Sequence, residues 1–164
     1  GVTKALAEAM AESAAVALSR HHSSPADFRV SHDATTTNRQ VRWEEPSDRT
    51  QRAHGNTDDA TEAGAYSIAL ATVETELGLY AIARTDVRTG ADYYVGPPET
   101  DELDLEEALR LEVSGVDAGD ESVVAQRLRK KVKQTTKGQV DVPALACVVG
   151  FAAKRIVLER AETE

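Results

Sequence analysis

The sequence predicts a mixed α/β (α+β) domain, one mixed central sheet flanked by about three helices. Three observations predict it. Apolar residues recur at helical spacing over 2–20 and 60–77, they alternate with polar ones in short runs such as 26–33 and 39–44, and the two kinds of segment are interleaved along the chain. A chain of 164 residues suits one domain, which at this size buries roughly 70% of its unfolded surface. We therefore read 1–164 as a single domain, with an N-terminal helix, hairpin and loop over 2–56 and a core over 57–160.

In the first helix, 2–20, Val2, Leu6, Met10, Ala14 and Leu18 stand four apart and form one apolar stripe on an Ala-rich background. Phe28 and Val30, then Val41 and Trp43, alternate with polar neighbours and predict two antiparallel strands, 26–33 and 39–44, joined by a polar link at 34–38. Pro46, Gly55 and the lack of periodicity predict a loop over 45–57. Asn56, Thr57, Asp58 and Asp59 supply caps and dipole-compensating acids to a helix over 60–77, with Ala65, Ile68, Ala69, Ala71, Thr72 and Val73 inward and Gly78 as its stop. Strands follow at 79–87 and 91–95 around the turn Arg88, Thr89 and Gly90. After an acidic link with six carboxylates between Glu99 and Glu107 comes a strand at 108–116. A helix starts at Gly119 and Asp120, carries the seam Val124, Leu128 and Val132 and ends at Gly138; 144–151 and 155–160 close the sheet. Trp43, Tyr66 and Tyr80 are expected in the core, while Tyr93 and Tyr94 must face opposite ways.

Composition narrows the function. The 28 acidic residues exceed the 19 basic ones by nine, which excludes a protein that grips nucleic acid over its whole surface. Six of the 19 basic residues nevertheless lie between Arg127 and Lys137, so one local positive face for DNA is expected. The lone Cys147, flanked by apolar residues, predicts a buried thiol and no internal disulfide. No apolar run approaches the roughly 18 residues of a membrane span, and Glu8 and Glu12 interrupt the apolar N-terminus, so a cytoplasmic protein without membrane partners is expected. Adjacent His21 and His22, with His32 and His54 elsewhere, lack zinc-ligand spacing. Neither a nucleophile elbow around Ser114 nor a phosphate-cradling glycine loop is present.

Two acids stand out. Asp92 follows Gly90 by two positions, and Glu112 lies on a strand between Leu111 and Val113. A carboxylate between apolar neighbours needs a cation, a donor or water. If the two strands pair, Asp92 and Glu112 come close enough to hold Mg²⁺ (or Mn²⁺) with a backbone carbonyl, such as that of Val113, and waters. Such a cation acidifies its bound water and stabilises charge on a phosphoryl oxygen. Each acid also has a plainer reading: Asp92 as a turn residue, Glu112 as an exposed side chain or a partner of Arg110 or Arg127.

The order helix, three strands, helix, strand, with Asp92 on the second strand and Glu112 on the third, resembles the core of the PD-(D/E)xK nuclease superfamily, the restriction-endonuclease-like fold. The resemblance covers roughly 57–159. It implies Asp92 as the metal-binding Asp, Glu112 as the Glu of the Glu-x-Lys element, and Glu62 as the acid that many members place on the preceding helix, where an acid also serves the helix dipole. Ser114 stands where the family has its catalytic Lys. Lys131 is the expected substitute, since some members move the Lys to the following helix; Lys130 is second, about 100° away around that helix. Gln134, three residues after Lys131, is expected to hold phosphate or water, and Tyr94 to stack a base if it shares a face with the acids.

The implied activity is hydrolysis of phosphodiester bonds in DNA by metal-activated water. A catalytically silent module of the same fold, serving partner binding or structure, is the alternative that Ser114 raises; a homodimer or a protein partner is expected besides. An acidic inhibitor using the carboxylates between Glu99 and Glu107 is a third.

Overall fold

The hydroxyl of Thr3 accepts a hydrogen bond from the Leu6 amide and so caps α1 (Lys4–Ser19), whose Ala-rich sequence has high helix propensity. A computed structural model describes residues 1–85, 91–101, 105, 107–135 and 142–161. The turn expected at Arg88 to Gly90, part of the acidic link, and the helix end expected at Gly138 lie outside the described residues. The stripe of α1 docks from Met10 onward; Leu6 is 42% exposed.

β1 (Ala26–His32) and β2 (Thr35–Val41) pair antiparallel from Ala26 opposite Val41 to His32 opposite Thr35. Asp33, at φ 50°, and Ala34 make the turn. The polar link expected at 34–38 is therefore mostly strand. Thr35, Thr36 and Thr37 are β-branched and fit a pleated edge whatever their polarity, which shifts the second strand back from 39–44. Within the expected loop, Ser47 accepts from the Thr50 amide and caps the short α2 (Asp48–Ala53). None of its residues is buried, so it leaves no periodic signal.

Asn56 caps α3 (Thr57–Leu77) through the amides of Asp58 and Asp59, and the helix stops at Gly78 as its sequence predicts. β3 (Tyr80–Arg84), β4 (Tyr93–Gly96) and β5 (Leu109–Val116) form an antiparallel meander. α4 (Glu121–Thr135) then crosses over to β6 (Ala144–Gly150), parallel to β5, and β7 (Arg155–Ala161) returns antiparallel. β7 pairs parallel with β1, so the N-terminal hairpin extends the same sheet, in the order β2-β1-β7-β6-β5-β4-β3. The fold is the expected mixed α/β class, with four helices among the described residues, α2 being the addition. No helix among the described residues is long and apolar enough to cross a membrane.

α1 and α3 pack on one face of the sheet over Phe28, Val30, Val95, Leu111, Leu145 and Phe151. Fully burying such side chains contributes roughly 1.5–3 kcal/mol each. α4 covers the other face with a smaller cluster of Val116, Val124, Leu128, Ala146 and Val148. β6, buried along its whole length between the two, is the central strand its unbroken apolar run predicts, and burial pushes the Cys147 thiol up to about 12. Where α3 crosses β5 the contact is close: a Cβ on Gly115 would lie 2.7 Å from the Thr61 carbonyl oxygen. Tyr80, expected in the core, is 43% exposed because β3 is an edge strand, while Trp43 is only half-buried past the end of β2.

Candidate functional site

Alternation along β5 sends Leu111 and Val113 to the α1/α3 core and Arg110, Glu112, Ser114 and Val116 toward α4. Two strand residues advance about 6.8 Å, and four helix residues about 6 Å, so a helix crossing such a strand meets it in matched steps. β5 and α4 run in opposite directions and use this match. Val116 packs in one cluster with Val124. Arg127 Nη1 donates to Ser114 Oγ at 3.1 Å, Lys131 Nζ donates to Glu112 Oε1, and Arg110 Nη2 donates to the Thr135 carbonyl at 3.4 Å. Arg110 Nε also donates to the Val142 carbonyl at 2.9 Å, so this guanidinium ties the end of α4 to the start of β6.

Glu112 is buried, at 8% exposure. Burial holds its carboxyl above the ordinary carboxylate range; the hydrogen bond from Lys131 opposes this and the negative charge of Asp92 adds to it. The group therefore sits where more positive charge would be welcome.

Asp92, expected on the second strand, instead precedes β4 (Tyr93–Gly96), at the point where the β4–β5 ladder stops and its side chain takes the place of the next backbone acceptor. The last paired residues are Tyr93 and Leu111. The Asp92 amide donates to the Leu111 carbonyl at 2.8 Å, and its Oδ2 accepts from the Val113 amide at 2.8 Å. A side-chain oxygen thus replaces the backbone acceptor of the ladder, which pins the carboxylate against β5 one residue from Glu112. Its Oδ1 accepts from the Tyr66 hydroxyl at 2.8 Å, and the same hydroxyl lies 3.2 Å from Glu62 Oε1. Burial and the charge of Asp92 push the Tyr66 phenol far above its usual range, so it remains a donor. The Arg84 guanidinium lies over the rings of Tyr66 and Tyr93, 4.9 and 5.2 Å from their centroids, and donates to both hydroxyls at 3.5 and 3.2 Å.

The residues singled out by sequence separate into two groups. Lys131 meets Glu112 directly, Asp92 lies near enough for its charge to raise the Glu112 carboxyl, and Glu62 joins Asp92 through Tyr66. Tyr94 lies opposite Arg110 and so shares the face of Glu112, half-buried. Lys130 and Gln134 are exposed on α4. Glu112 takes Lys131 as its partner, while Arg110 and Arg127 bond elsewhere. Sequence reasoning missed Tyr66, read as core, Arg84, and the contact of Arg127 with Ser114. A signal was present for Tyr66, which follows Glu62 by four residues and so shares its helix face.

The donor set suits a hard cation. Each carboxylate oxygen accepts about two hydrogen bonds, so Asp92 and Glu112 keep acceptor capacity beyond the donors they already meet. Among the described residues no group of three or more His, Cys, Asp and Glu side chains is placed to hold a metal. A cation here would rest on two carboxylates and water, as Mg²⁺ does in phosphate chemistry. No family model, curated protein or solved structure matches the chain.

Proposed function

We propose that the protein is a Mg²⁺- or Mn²⁺-dependent phosphodiesterase of the PD-(D/E)xK type acting on DNA. The observation that carries this reading is the meeting of Lys131 with Glu112 beside the pinned carboxylate of Asp92. Two acids and one ammonium are the groups such chemistry requires, and the ammonium arrives from α4 where β5 has Ser114. The order α3, β3, β4, β5, α4, β6, with β5 parallel to β6, supports the same reading.

Asp92 and Glu112 would hold the cation, which when bound lowers the pKa of a water and stabilises phosphoryl charge. The chain's own residues do the rest. Tyr66 and the Val113 amide fix the Asp92 carboxylate, so no reorganisation is needed when a ligand arrives. Lys131 brings positive charge to the position where a phosphate would gain negative charge, and Arg127 at Ser114 adds a second cation one step along β5. The exposed Arg129 and Lys130 continue the basic helix outward, toward a nucleic-acid backbone.

Relaxation of supercoiled plasmid in Mg²⁺ and in Mn²⁺ tests the proposal. The wild type nicks the plasmid, and Asp92→Ala, Glu112→Ala and Lys131→Ala reduce nicking to background; a wild type that never nicks, or a Glu112→Ala variant that nicks as well, refutes it. A silent module of the same fold is the second reading, favoured by Ser114 and by the engagement of Lys131 with Glu112. It predicts no nicking by any variant.

A further inference from the structure

On the opposite face of the sheet, α1, α3, β2 and the segment that follows β2 line an open cavity of about 810 Å³ that the reading above does not use. We propose that it binds a small amphipathic organic cation, one ammonium-type charge on an apolar body. The volume lies within the usual range for small-molecule sites, about 300–1,000 Å³. Its floor is apolar, with Leu18, Val30, Ile68 and Ile156 among the lining residues.

Its charge is one-sided. Five glutamates line the cavity against two arginines; Glu76 is paired with Arg39, with Nε 2.5 Å from Oε1, Glu8 with Lys4 and Glu12 with His54, which leaves Glu44 and Glu45 against Arg42. The other guanidinium, Arg42, donates to Gln40 at 3.2 Å. An apolar floor under a surplus of carboxylates favours a cation over an anion with the same apolar body.

One wall is built for that charge. The indole Nε1 of Trp43 donates to Ser19 Oγ at 2.7 Å, and the Trp43 amide donates to Ser24 Oγ at 3.0 Å. The same two serines hold Glu45: Ser19 Oγ donates to its Oε2 at 2.9 Å and the Ser24 amide to its Oε1 at 3.1 Å. An aromatic ring and a carboxylate are thus fixed side by side before any ligand arrives. Both attract an ammonium, and fixing them beforehand lowers the ordering cost of binding. Glu12, held by His54 Nε2 at 2.9 Å, adds a second anchored carboxylate among the lining residues.

Trp43 is the only tryptophan of the chain, so its emission reports on this site. The test compares 4-phenylbutylamine with 4-phenylbutanoate, which have a closely similar apolar body and opposite charge, by Trp43 fluorescence and by calorimetry. The amine is expected to saturate at least about tenfold tighter than the carboxylate. Glu45→Gln should shrink that preference at least about threefold, and Ala71→Leu, at an exposed lining position, should weaken the amine about tenfold without lowering the melting temperature. Equal affinity for the two probes, binding of neither, or amine binding undiminished in Ala71→Leu overturns the proposal. Light scattering that shows a dimer dissociated by Ala71→Leu also overturns it and assigns the cavity to a second copy of the chain.

Discussion

The two faces of β5 are built on different principles. Leu111 and Val113 enter a core of aliphatic and aromatic side chains, where stability comes from area removed from water. Arg110, Glu112 and Ser114 face α4 across a lane of hydrogen bonds that includes the Lys131–Glu112 ion pair, beside the smaller buried cluster. Replacing a buried ion pair by apolar side chains of similar volume is often neutral or stabilising, so stability alone does not require the pair on the second face.

Substitutions can break this contrast. Leu145→Ala, in the central strand, should cost about 3 kcal/mol in chemical denaturation, because the fully buried site cannot collapse around the missing atoms. Lys131→Met should cost about 1–3 kcal/mol by the same measurement and, on the proposed function, abolish nicking, since it leaves the buried carboxylate of Glu112 without its partner. Tyr66→Phe should cost about 1 kcal/mol and weaken Mg²⁺ binding by roughly threefold to tenfold in calorimetry, because Asp92 Oδ1 loses its donor.

The smallest effect tests an ion pair outside both faces' central contacts. The hydrogen bond from Arg39 holds the Glu76 carboxyl below the ordinary carboxylate range, against an opposing contribution from burial. A depressed carboxyl stabilises the fold above its unfolded pKa, about 4.3, and loses that contribution as pH falls through its folded value. Arg39→Met should therefore move the midpoint of acid unfolding, followed by circular dichroism, to higher pH. A midpoint that stays in place would show that the pair adds nothing.

Much of the fold was legible in the sequence because burial imposes a period. The stripe of α1 from Met10, the alternation of Leu111 and Val113 and the unbroken run of β6 each state which face is inside. Thr35 to Thr37 misled because their polarity outweighed their branching, and α2 was silent because it buries nothing. In the site, Glu112 on its strand, Asp92 and Lys131 were legible as residues whose types and spacing fit the proposed chemistry. The link to Glu62 was not: Tyr66 is at once a core residue and a bridge between two acids, and only the tertiary contact of α3 with Asp92, just before β4, reveals the second role. The contact of Arg127 with Ser114 likewise depends on the matched advance of α4 and β5, which no local pattern shows.

The most direct measurement pairs stability with nicking in one double variant, Glu112→Leu with Lys131→Met. If the polar lane serves chemistry, this protein unfolds within about 1 kcal/mol of the wild type in denaturant, more stable than either single variant, and leaves supercoiled plasmid intact in Mg²⁺. Nicking by the double variant at the wild-type rate would contradict the account.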